Sequence, residues 1–341
     1  MSVTPASLGY RMPAEWEKHE ATWLSWPKDP DTFPPVVLPK VEAAYVKLVD
    51  ALGAGEEVRV LVDDDRTRAR VASMVGGDGM VSFVVLRTAD VWVRDYGPTG
   101  VVGGDVGLVK WRFNAWGNKY DDLLSDDESG EMMADSTGLR TFRPGIVLEG
   151  GSIDVNGTGT LLTTEQCLLN PNRNPGLGRG DVEKKLKDYL GVTKVVWLRE
   201  GIEGDDTDGH VDDIARFVGG RRVVVASEGG VGDRNRPVLE ENLRVLEGAA
   251  DERGEGLEVV RLPMPPRLDS PDGRLPASHL NFYIGNRAVV VPTFGGESDR
   301  GAMKAMEAAF PEREVVGIDC RALVFGLGTI HCVTQQIPSP P

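Results

Sequence analysis

The chain has 341 residues, of which 40% are hydrophobic, so it is long enough to bury a sizeable core. Its formal charge of −15 disfavours nucleic acid as a partner and would attract small cations, although an acidic surface also serves solubility alone. Three cysteines without metal-type spacing predict neither a disulfide framework nor a zinc cluster, and they suit a reducing compartment.

The N-terminal segment, MSVTPASLGYRMPAEWEKHE, lacks the apolar core of a signal peptide. No other stretch reaches the roughly 20 apolar residues that a membrane span requires. We therefore expect a cytoplasmic protein without a membrane partner.

Four hairpin patterns follow along the chain, each with a polar signature, a short apolar run, a glycine turn and a second β-branched run. They are RDYGPTGVV-GGD-VGLVKW from Arg94, EGGSIDV-NGTG-TLLTT from Glu149, GHVDDIARFV-GG-RRVVVAS from Gly209 and SHLNFYI-GN-RAVVVPTF from Ser278. Their leading polar residues recur at intervals of roughly 50 to 70 positions, which indicates an internal repeat. These leading residues are Asp95, Glu149, His210 and His279.

A fifth unit is predicted to open with GTIHCVTQQIP from Gly328 and to find its partner near HEATWLSW at His19. Helical periodicity lies between the hairpins, in the segments that start at Asp181, Arg236 and Asp299. About five such α/β units cannot bury their small sheets alone, so we expect them to close into a ring as a single domain over residues 1–341. The equivalent strand ends would then meet near the axis, together with the leading residues.

Cys332 lies in a glycine-flanked segment before an apolar strand and has no cysteine partner, so it is a candidate nucleophile. The alternative is a buried small hydrophobe, which is the role we expect for Cys167 and Cys320.

His210 lies in DDTDGHVDD, where strand alternation would place it on one face with Asp212. Nearby carboxylates would favour the imidazolium form of the histidine. A solvated acidic loop and a two-ligand metal site are the alternatives; the remaining histidines form no H-x-x-x-H pair, so we expect no metal. Glu149 and Asp95 lie next to glycines, where backbone can approach a ligand, although a turn cap or an Arg94–Asp95 ion pair would explain them equally well.

Taken together, these residues offer one thiol, one histidine and three carboxylates. Two or three carboxylates can bind the five fixed N–H donors of a guanidinium and hold its charge during a reaction. The same carboxylates would raise the pKa of the thiol in the free enzyme, and a bound guanidinium would lower it again. We therefore expect a hydrolase in which Cys332 attacks the guanidinium carbon of a small cationic substrate.

Six segments, in order from about Met12 to Pro338, resemble the agmatine deiminase and bacterial peptidylarginine deiminase family. They are WEKHEATWLSWP, VWVRDYGPT, FNAWG, LEGGSIDVNGTGTLLTTEQCLLNPNRNP, DDTDGHVDDIARF and GTIHCVTQQIP. The resemblance implies an α/β fold of the pentein type, a five-bladed propeller with pseudo-fivefold repeats, and hydrolysis without a cofactor.

By the same resemblance, Cys332 is the nucleophile, His210 the general acid and base, and Glu149, Asp95 and Asp212 the carboxylates that bind the guanidinium. A thiouronium adduct on Cys332 would form with loss of ammonia, and water would then release a ureido product. For agmatine that product is N-carbamoylputrescine, on a route to putrescine.

Two departures from the family text concern the choice of substrate. The nucleophile segment reads GLGTIHC where the family carries GGGNIHC, and the text after Trp116 also differs. At the far end of the pocket, Asp206 could meet a distal ammonium, unless it is one more exposed acid. Trp92 and Trp116 could form an apolar wall along the substrate.

The resemblance thus favours the hydrolysis of agmatine, and three alternatives to it stay open at this point. A peptidylarginine or free-arginine deiminase needs a basic group for the substrate carboxylate, and Arg112 and Arg173 are the candidates. An amidinotransferase would use a similar thiol, and a non-enzymatic pentein would bind a macromolecule, which the net charge and the intact thiol-histidine-acid set oppose. The sequence leaves a homo-oligomer open.

Overall fold

The β-branched runs of the sequence form short strands, and glycine turns pair most of them as antiparallel hairpins. The computed structural model describes residues 3–76 and 80–340. In these residues the chain has an α/β fold whose strands form five sheets of three or four strands and one two-stranded hairpin. We number the five larger sheets in the order in which their first strands occur along the chain.

The first sheet contains His19–Ser25, Glu57–Val62, Val81–Val85 and Gln335–Pro338. The second contains Thr99–Val102, Val106–Val109 and Arg140–Phe142. The third contains Asp154–Val155, Thr160–Thr164 and Lys194–Leu198. The fourth contains Ala215–Phe217, Arg222–Ser227 and Glu258–Pro263, and the fifth contains Tyr283–Ile284, Ala288–Thr293 and Glu314–Asp319. The small hairpin pairs Asp269–Ser270 with Gly273–Arg274.

One connectivity repeats in the second to fifth sheets. The first two strands of each sheet are antiparallel, and the third strand lies parallel to the second. A parallel neighbour requires a crossover connection, and helical segments provide it. The four hairpins predicted from the sequence are therefore confirmed.

The first sheet joins the two ends of the described chain. Gln335–Pro338 runs antiparallel to His19–Ser25, with Gln335 opposite Trp23, and Glu57–Val62 and Val81–Val85 continue the sheet in parallel. The predicted pairing of GTIHCVTQQIP with HEATWLSW is confirmed.

Helices of eight or more residues span Leu38–Gly53, Asp65–Ala72, Asp126–Ser136, Arg179–Leu190, Asn235–Glu247 and Glu297–Ala309. Shorter helical segments are Val93–Tyr96, Ala115–Asn118 and Glu165–Leu168, and 3-10 turns are Ala6–Leu8, Asp121–Leu123, Gly150–Ser152, Val211–Asp213 and Leu323–Gly326. The three helices predicted from apolar periodicity are thus present. Within the described ranges, none of the helices combines the length and the apolar character needed to cross a membrane.

In the helix Arg179–Leu190, the sequence determines where the helix begins and ends and which face is buried. The Gly178 N–H donates to the carboxylate of Asp181 at 3.0 Å, which satisfies a donor at the N-terminus, and Gly191 ends the helix at a φ of 68°. Leu186 and Leu190 lie on the buried face and belong to the same apolar core as the strand residue Leu161.

Buried ion pairs connect neighbouring sheets. The guanidinium of Arg216, in the fourth sheet, lies 2.8 Å from the carboxylate of Asp154 in the third sheet and 2.9 Å from that of Glu15. It also donates to the carbonyl of Phe282, just before the fifth sheet, at 2.9 Å. Arg216 is completely buried, so loss of its charge would leave two carboxylates in the interior without their main partner.

We expect Arg216→Gln to lower the free energy of unfolding by about 3–5 kcal/mol, because it leaves buried carboxylates unpaired. Urea unfolding followed by circular dichroism measures the change. Arg222→Gln is the matched control: its exposed side chain pairs with Glu258 at 3.5 Å, and we expect a loss below about 1 kcal/mol. Equal losses in the two variants would contradict the structural role of Arg216.

Candidate active site

A cavity of about 290 Å³ opens onto Cys332. Trp92 and Trp116 form part of its wall, and Gly326 and Gly328 bring backbone close to it. Seven aspartates line the same cavity, at positions Asp29, Asp31, Asp90, Asp95, Asp122, Asp206 and Asp272. Among the described residues, no lysine or arginine lines it, so the cavity suits a cation.

The predicted site residues lie a few residues before strands of four different sheets. Asp95 precedes the second sheet, Glu149 the third, His210 the fourth, and Cys332 the strand Gln335–Pro338 of the first. All four side chains are buried, as is that of Asp212. The fold therefore gathers the thiol, the histidine and the three carboxylates at one place.

His210 lies between two of these carboxylates. Its Nδ1 is 3.7 Å from Asp95 Oδ1, and its Nε2 is 3.9 Å from Glu149 Oε2. Gly151 lies at the centre of the group, because a Cβ there would come within 2.6 Å of His210 Nδ1 and 3.0 Å of carboxylate oxygens of Asp95 and Asp212. The site therefore requires glycine at this position.

The prediction that His210 and Asp212 share one face of a strand is wrong. Val211–Asp213 is a 3-10 turn, and the strand begins at Ala215. Asp205 fixes this turn by accepting hydrogen bonds from the backbone N–H groups of Gly209 and His210 at 2.9 and 3.1 Å. The turn nevertheless directs both side chains towards Gly151.

Arg173 holds Glu149 in its ionised form. Its Nε donates to Glu149 Oε1 at 2.7 Å, and both side chains are buried. Burial opposes ionisation, but the charges of Arg173 and His210 outweigh it and lower the pKa of Glu149 to about 2. The hypothesis that Arg173 meets a substrate carboxylate is therefore wrong, because its donors are used by Glu149, Thr207 and Asp208. Arg112 is exposed and does not line the cavity either.

The charges of His210 and Asp95 depend on each other. Burial opposes the imidazolium, but the Asp95 carboxylate and the contacts with Cys167 and Glu149 raise the pKa of His210 well above its ordinary value. Burial also raises the pKa of Asp95, to about 6, against the charge of His210 and the Trp116 indole N–H, which donates at 2.9 Å. His210 is therefore held as an acid beside a carboxylate that titrates near neutral pH.

The Trp116 side chain is positioned next to Asp95 by a backbone segment with unusual φ angles. Ala115, Trp116, Gly117 and Asn118 all have positive φ angles, between 48° and 93°. Such a run is costly for non-glycine residues, and the side chain of Asn114 supports it by accepting the Gly117 N–H at 2.9 Å. The motif FNAWG thus places an indole at the wall of the cavity.

Cys332 is kept as a thiol by its surroundings. Burial and the negative charges of Asp212, Asp213 and Asp95 raise its pKa well above the ordinary value. Its Sγ lies 3.8 Å from Asp212 Oδ2 and 3.0 Å from the side-chain nitrogen of Asn281.

Asn281 is a site residue that sequence reasoning missed. The leading residue assigned to that hairpin was His279, but the His279 ring bonds the Pro292 carbonyl and Ser298 instead. The signal for Asn281 is a polar residue within the apolar run Leu280–Phe282, which leaves it 1% exposed.

His331 is a second missed residue and connects Asp212 to the interior. Its Nδ1 lies 2.7 Å from Asp212 Oδ2, and its Nε2 lies 2.8 Å from Glu15 Oε2. Burial raises the pKa of Asp212, but this contact with His331 outweighs it, so the pKa is lowered. Arg94 pairs with Glu15 at 3.5 Å and with Gln336, so an ion pair with Arg94, the alternative explanation of Asp95, is not formed.

In the lining of the same cavity, Asp206 is partly buried beside Tyr120. The phenol donates to Asp206 Oδ2 at 2.6 Å, and burial raises the pKa of the carboxyl group. Asp206 is therefore not simply an exposed acid of the DDTD segment, and it faces the same cavity as Cys332.

Three groups in the site have the chemistry of metal ligands. Glu149, Cys167 and His210 have ligand atoms within 4.8 Å of one another. A metal would need Cys167 as a thiolate, whereas burial and the charge of Glu149 raise the pKa of this thiol.

Cys167 and Cys320 are both buried, as expected for core cysteines. Cys167 also lies next to Glu149 and His210.

The fold and the site together define an α/β protein in which a buried thiol, a histidine and carboxylates lie next to a cavity lined by aspartates. Residues 11–338 match the Porphyromonas-type peptidyl-arginine deiminase family, and the chain belongs to that family. It is 38% identical to the agmatine deiminase of Ectopseudomonas mendocina, over 100% of this chain and 98% of that protein.

Two solved structures are similar over almost the whole chain. The agmatine deiminase of Enterococcus faecalis has a TM-score of 0.91 and 33% identity, with 100% of this chain and 99% of that one covered. A cysteine-to-serine variant of the C. jejuni agmatine deiminase with substrate bound has a TM-score of 0.88 and 28% identity, with 97% of each chain covered.

We expect Asp212→Asn to move the pH midpoint for alkylation of Cys332 down by about one unit, because it removes a negative charge that raises the pKa of the thiol. The rate of iodoacetamide labelling, followed on the Cys332 peptide by mass spectrometry, measures this midpoint. Asp319→Asn, at an exposed Arg321 pair, is the control and should leave it unchanged. An unchanged or higher midpoint in Asp212→Asn would show that this charge does not govern the thiol.

Proposed function

We propose that the protein is an agmatine deiminase, a hydrolase that converts agmatine and water to N-carbamoylputrescine and ammonia. Relatives of that name match the chain over nearly its full length, in sequence and in structure. The observation that carries the proposal is the cavity itself, which is lined by Cys332 and seven aspartates and by no basic residue among those described.

We further propose that the five sheets form a closed five-bladed ring of the pentein type in a single domain over residues 1–341. The repeated connectivity of the sheets supports this arrangement. So does the position of Asp95, Glu149, His210 and Cys332, each a few residues before a strand of a different sheet. Such a ring gives five equivalent places near its axis, of which one carries the thiol, one the histidine and two the carboxylates.

In the first step, we propose that Asp95, Asp212 and Glu149 bind the guanidinium and that the thiolate of Cys332 attacks its carbon. The S–C bond forms, and the tetrahedral species carries two amino groups. His210 gives its proton to one of them, which leaves as ammonia as the C–N bond breaks. The product of this step is a cationic thiouronium adduct on Cys332.

In the second step, water attacks the thiouronium carbon while the now neutral His210 takes a proton from it. The C–S bond then breaks and its electron pair returns to sulfur, which regenerates the thiolate. The ureido product keeps the water oxygen, and the remaining proton leaves with ammonia as ammonium. No metal or cofactor is needed for either step.

The free and bound states differ in the charge of the nucleophile. Without substrate, the surrounding carboxylates raise the pKa of Cys332, so the thiol is unreactive. A guanidinium placed among the same carboxylates neutralises their field and favours the thiolate, so the thiol proton is released to solvent on binding and is regained when the product leaves. The substrate thereby activates the group that attacks it.

The choice between agmatine and arginine depends on the far end of the substrate. Agmatine ends in an ammonium, whereas arginine adds a carboxylate next to its amine. Asp206 and Asp122 line the cavity and would repel that carboxylate, and neither Arg112 nor Arg173 is placed to bind it. We therefore propose that Trp92 and Trp116 enclose the linker and that Asp206 binds the distal ammonium.

The first test is the release of ammonia from agmatine, arginine and a peptidylarginine, offered separately to the purified protein. We expect the wild type to release ammonia from agmatine. In Cys332→Ser we expect kcat to fall by a factor of about 10³ or more, because the nucleophile is lost. Cys320→Ser alters a buried cysteine outside the cavity lining and serves as the control. Amidino transfer to an added amine without ammonia would instead identify a transferase, and undiminished release by Cys332→Ser would exclude the proposed nucleophile.

The role of Asp206 is tested with two substrates that differ at one end, agmatine and butylguanidine, which lacks the distal ammonium. We expect Asp206→Asn to lower kcat/KM about 30-fold for agmatine, since a partly buried charge pair contributes about 2 kcal/mol, and to leave butylguanidine nearly unaffected. Asp272→Asn, at an exposed position of the same cavity, is the control. An equal loss for both substrates would mean that Asp206 supports the cavity and does not bind the ammonium.

A further inference from the structure

The small hairpin, Asp269–Arg274, forms part of the wall of the cavity although it belongs to none of the five larger sheets. It lies in the connection between the fourth and the fifth sheet. Ser270 and Asp272, at its tip, line the same cavity as Cys332. Asp272 is also exposed, so the tip reaches the opening through which a substrate enters.

The base of the small hairpin is fixed by a buried arginine. The Arg274 side chain is 4% exposed, and its Nη1 donates to Asp233 Oδ1 at 2.7 Å and to Glu203 Oε2 at 3.3 Å. Burial opposes the ionisation of Asp233, but the hydrogen bond from Arg274 outweighs it and lowers the pKa of this carboxyl group. Two carboxylates from outside the hairpin therefore hold its last residue in position.

The backbone of the small hairpin packs against the segment that carries Asp206. Gly204 has a φ of 95°, and a Cβ at this position would come within 2.1 Å of the Arg274 carbonyl oxygen. Next to the hairpin, the Leu275 N–H donates to the Leu268 carbonyl at 2.9 Å, and both leucines pack in the apolar core that also contains Cys332. Main-chain and apolar contacts thus support the anchor that the arginine provides.

Prolines stiffen the connection in which the small hairpin lies. They are Pro265, Pro266, Pro271 and Pro276. Because each proline has a fixed φ, it reduces the number of conformations that the chain can adopt. Pro271 occupies the turn itself, between Ser270 and Asp272. The hairpin is therefore a fixed part of the cavity wall.

A fixed wall sets an upper limit on the size of the substrate. The cavity volume of about 290 Å³ lies at the lower end of the range for small-molecule sites, which is about 300–1,000 Å³. The small hairpin packs on the residues just before Asp206, which is the proposed partner of the distal ammonium. A bulky group on the distal nitrogen of the substrate would therefore meet the hairpin.

We propose that the small hairpin excludes guanidines with a bulky distal group from the cavity, and that Arg274 is the positioning residue that holds the hairpin in place. Arg274 does not line the cavity itself, so it acts through the tip of the hairpin. The substrate class is thereby restricted to small guanidines with an unsubstituted distal amine, and an arginine within a peptide is too large. The inference deepens the proposed function and rests on it for the identity of the substrate.

Alkylation of Cys332 by a small and by a bulky reagent tests the proposal. Iodoacetamide and pyrenyl iodoacetamide carry the same reactive group, and mass spectrometry of the Cys332 peptide gives the rate of each. Both rates are divided by the rate of the same reagent with free glutathione. In Arg274→Gln we expect the ratio of bulky to small labelling to rise about 10-fold, because the loss of a buried ion pair releases the hairpin. An unchanged ratio in the folded variant overturns the proposal.

Arg267→Gln is the matched control, because it makes the same chemical change just before the same hairpin. The exposed Arg267 side chain pairs mainly with Asp269, at 2.8 Å, and we expect this variant to keep the labelling ratio of the wild type. The buried Cys167 and Cys320 report on general opening of the fold in the same samples. An equal rise in both arginine variants, or a rise that is accompanied by labelling of these two cysteines, would count against Arg274 as the anchor and overturn the proposal.

A shortened connection provides a second variant. The Leu268 carbonyl accepts the Leu275 N–H, so an Asn-Gly pair in place of Asp269–Arg274 would join these leucines by a two-residue turn. We expect the labelling ratio to rise at least as much as in Arg274→Gln, because the wall itself is gone. A folded variant with the wild-type ratio would show that the hairpin does not limit access to Cys332.

Substrate preference gives the functional counterpart of the labelling test. The two substrates are agmatine and agmatine with a benzyl group on its distal nitrogen, which keeps the positive charge. We expect Arg274→Gln to lower the preference for agmatine, as a ratio of kcat/KM values, about 10-fold. An unchanged preference overturns the size limit. Labelling needs no substrate, so a wild type that releases ammonia from neither compound contradicts the proposed function while the labelling ratio still decides on the hairpin.

If neither variant folds, hydrogen exchange of the wild type decides. A fixed hairpin keeps the amide hydrogen of Leu275 bonded to the Leu268 carbonyl, so we expect slow exchange in the peptide that covers these residues. Exchange at the rate of an unstructured chain would show a mobile hairpin and overturn the proposal.

Discussion

The burial of several carboxylates at one point is the constraint on which the rest of the structure depends. A lone buried carboxylate is too costly to remain ionised, so several of these groups have basic partners from separate segments of the chain. Burial and the charge of Asp212 instead raise the pKa of Asp213 well above its ordinary value. Arg216 reaches Glu15 and Asp154, Arg173 reaches Glu149, and His331 reaches Asp212. The buried acids of this group are Glu15, Asp95, Glu149, Asp154, Asp212 and Asp213.

The placement of the positive partners decides what the cavity can bind. Arg173 and Arg216 approach their carboxylates from the protein interior, and neither lines the cavity. The side of the carboxylates that faces Cys332 therefore keeps its negative field. The arrangement that keeps Glu149 and Asp212 ionised thus leaves a place for a cationic substrate.

Local patterns in the sequence were sufficient for the hairpins and for the polar residues that precede the second, third and fourth sheets. Glycine turns between β-branched runs predicted the second to fifth sheets, and the apolar start of GTIHCVTQQIP predicted the strand that completes the first. The partners of these residues were not predictable in this way, because they are set by tertiary contacts. The sequence left Arg173 available for a substrate carboxylate, but its side chain is bonded to Glu149. In the fifth unit the sequence pointed to His279, but the side chain that contacts Cys332 is that of Asn281, which lies within an apolar run.

The pairing of the first sheet also has a consequence for how the protein is made. Glu15 and His331, which share a short contact next to the nucleophile, are 316 residues apart in sequence, and the strands beside them are almost as distant. Contacts of such separation require a long loop to close and form late in folding. Cys332 therefore receives its surroundings only when the whole described chain is in place, so a partly folded chain has the thiol but not the catalyst.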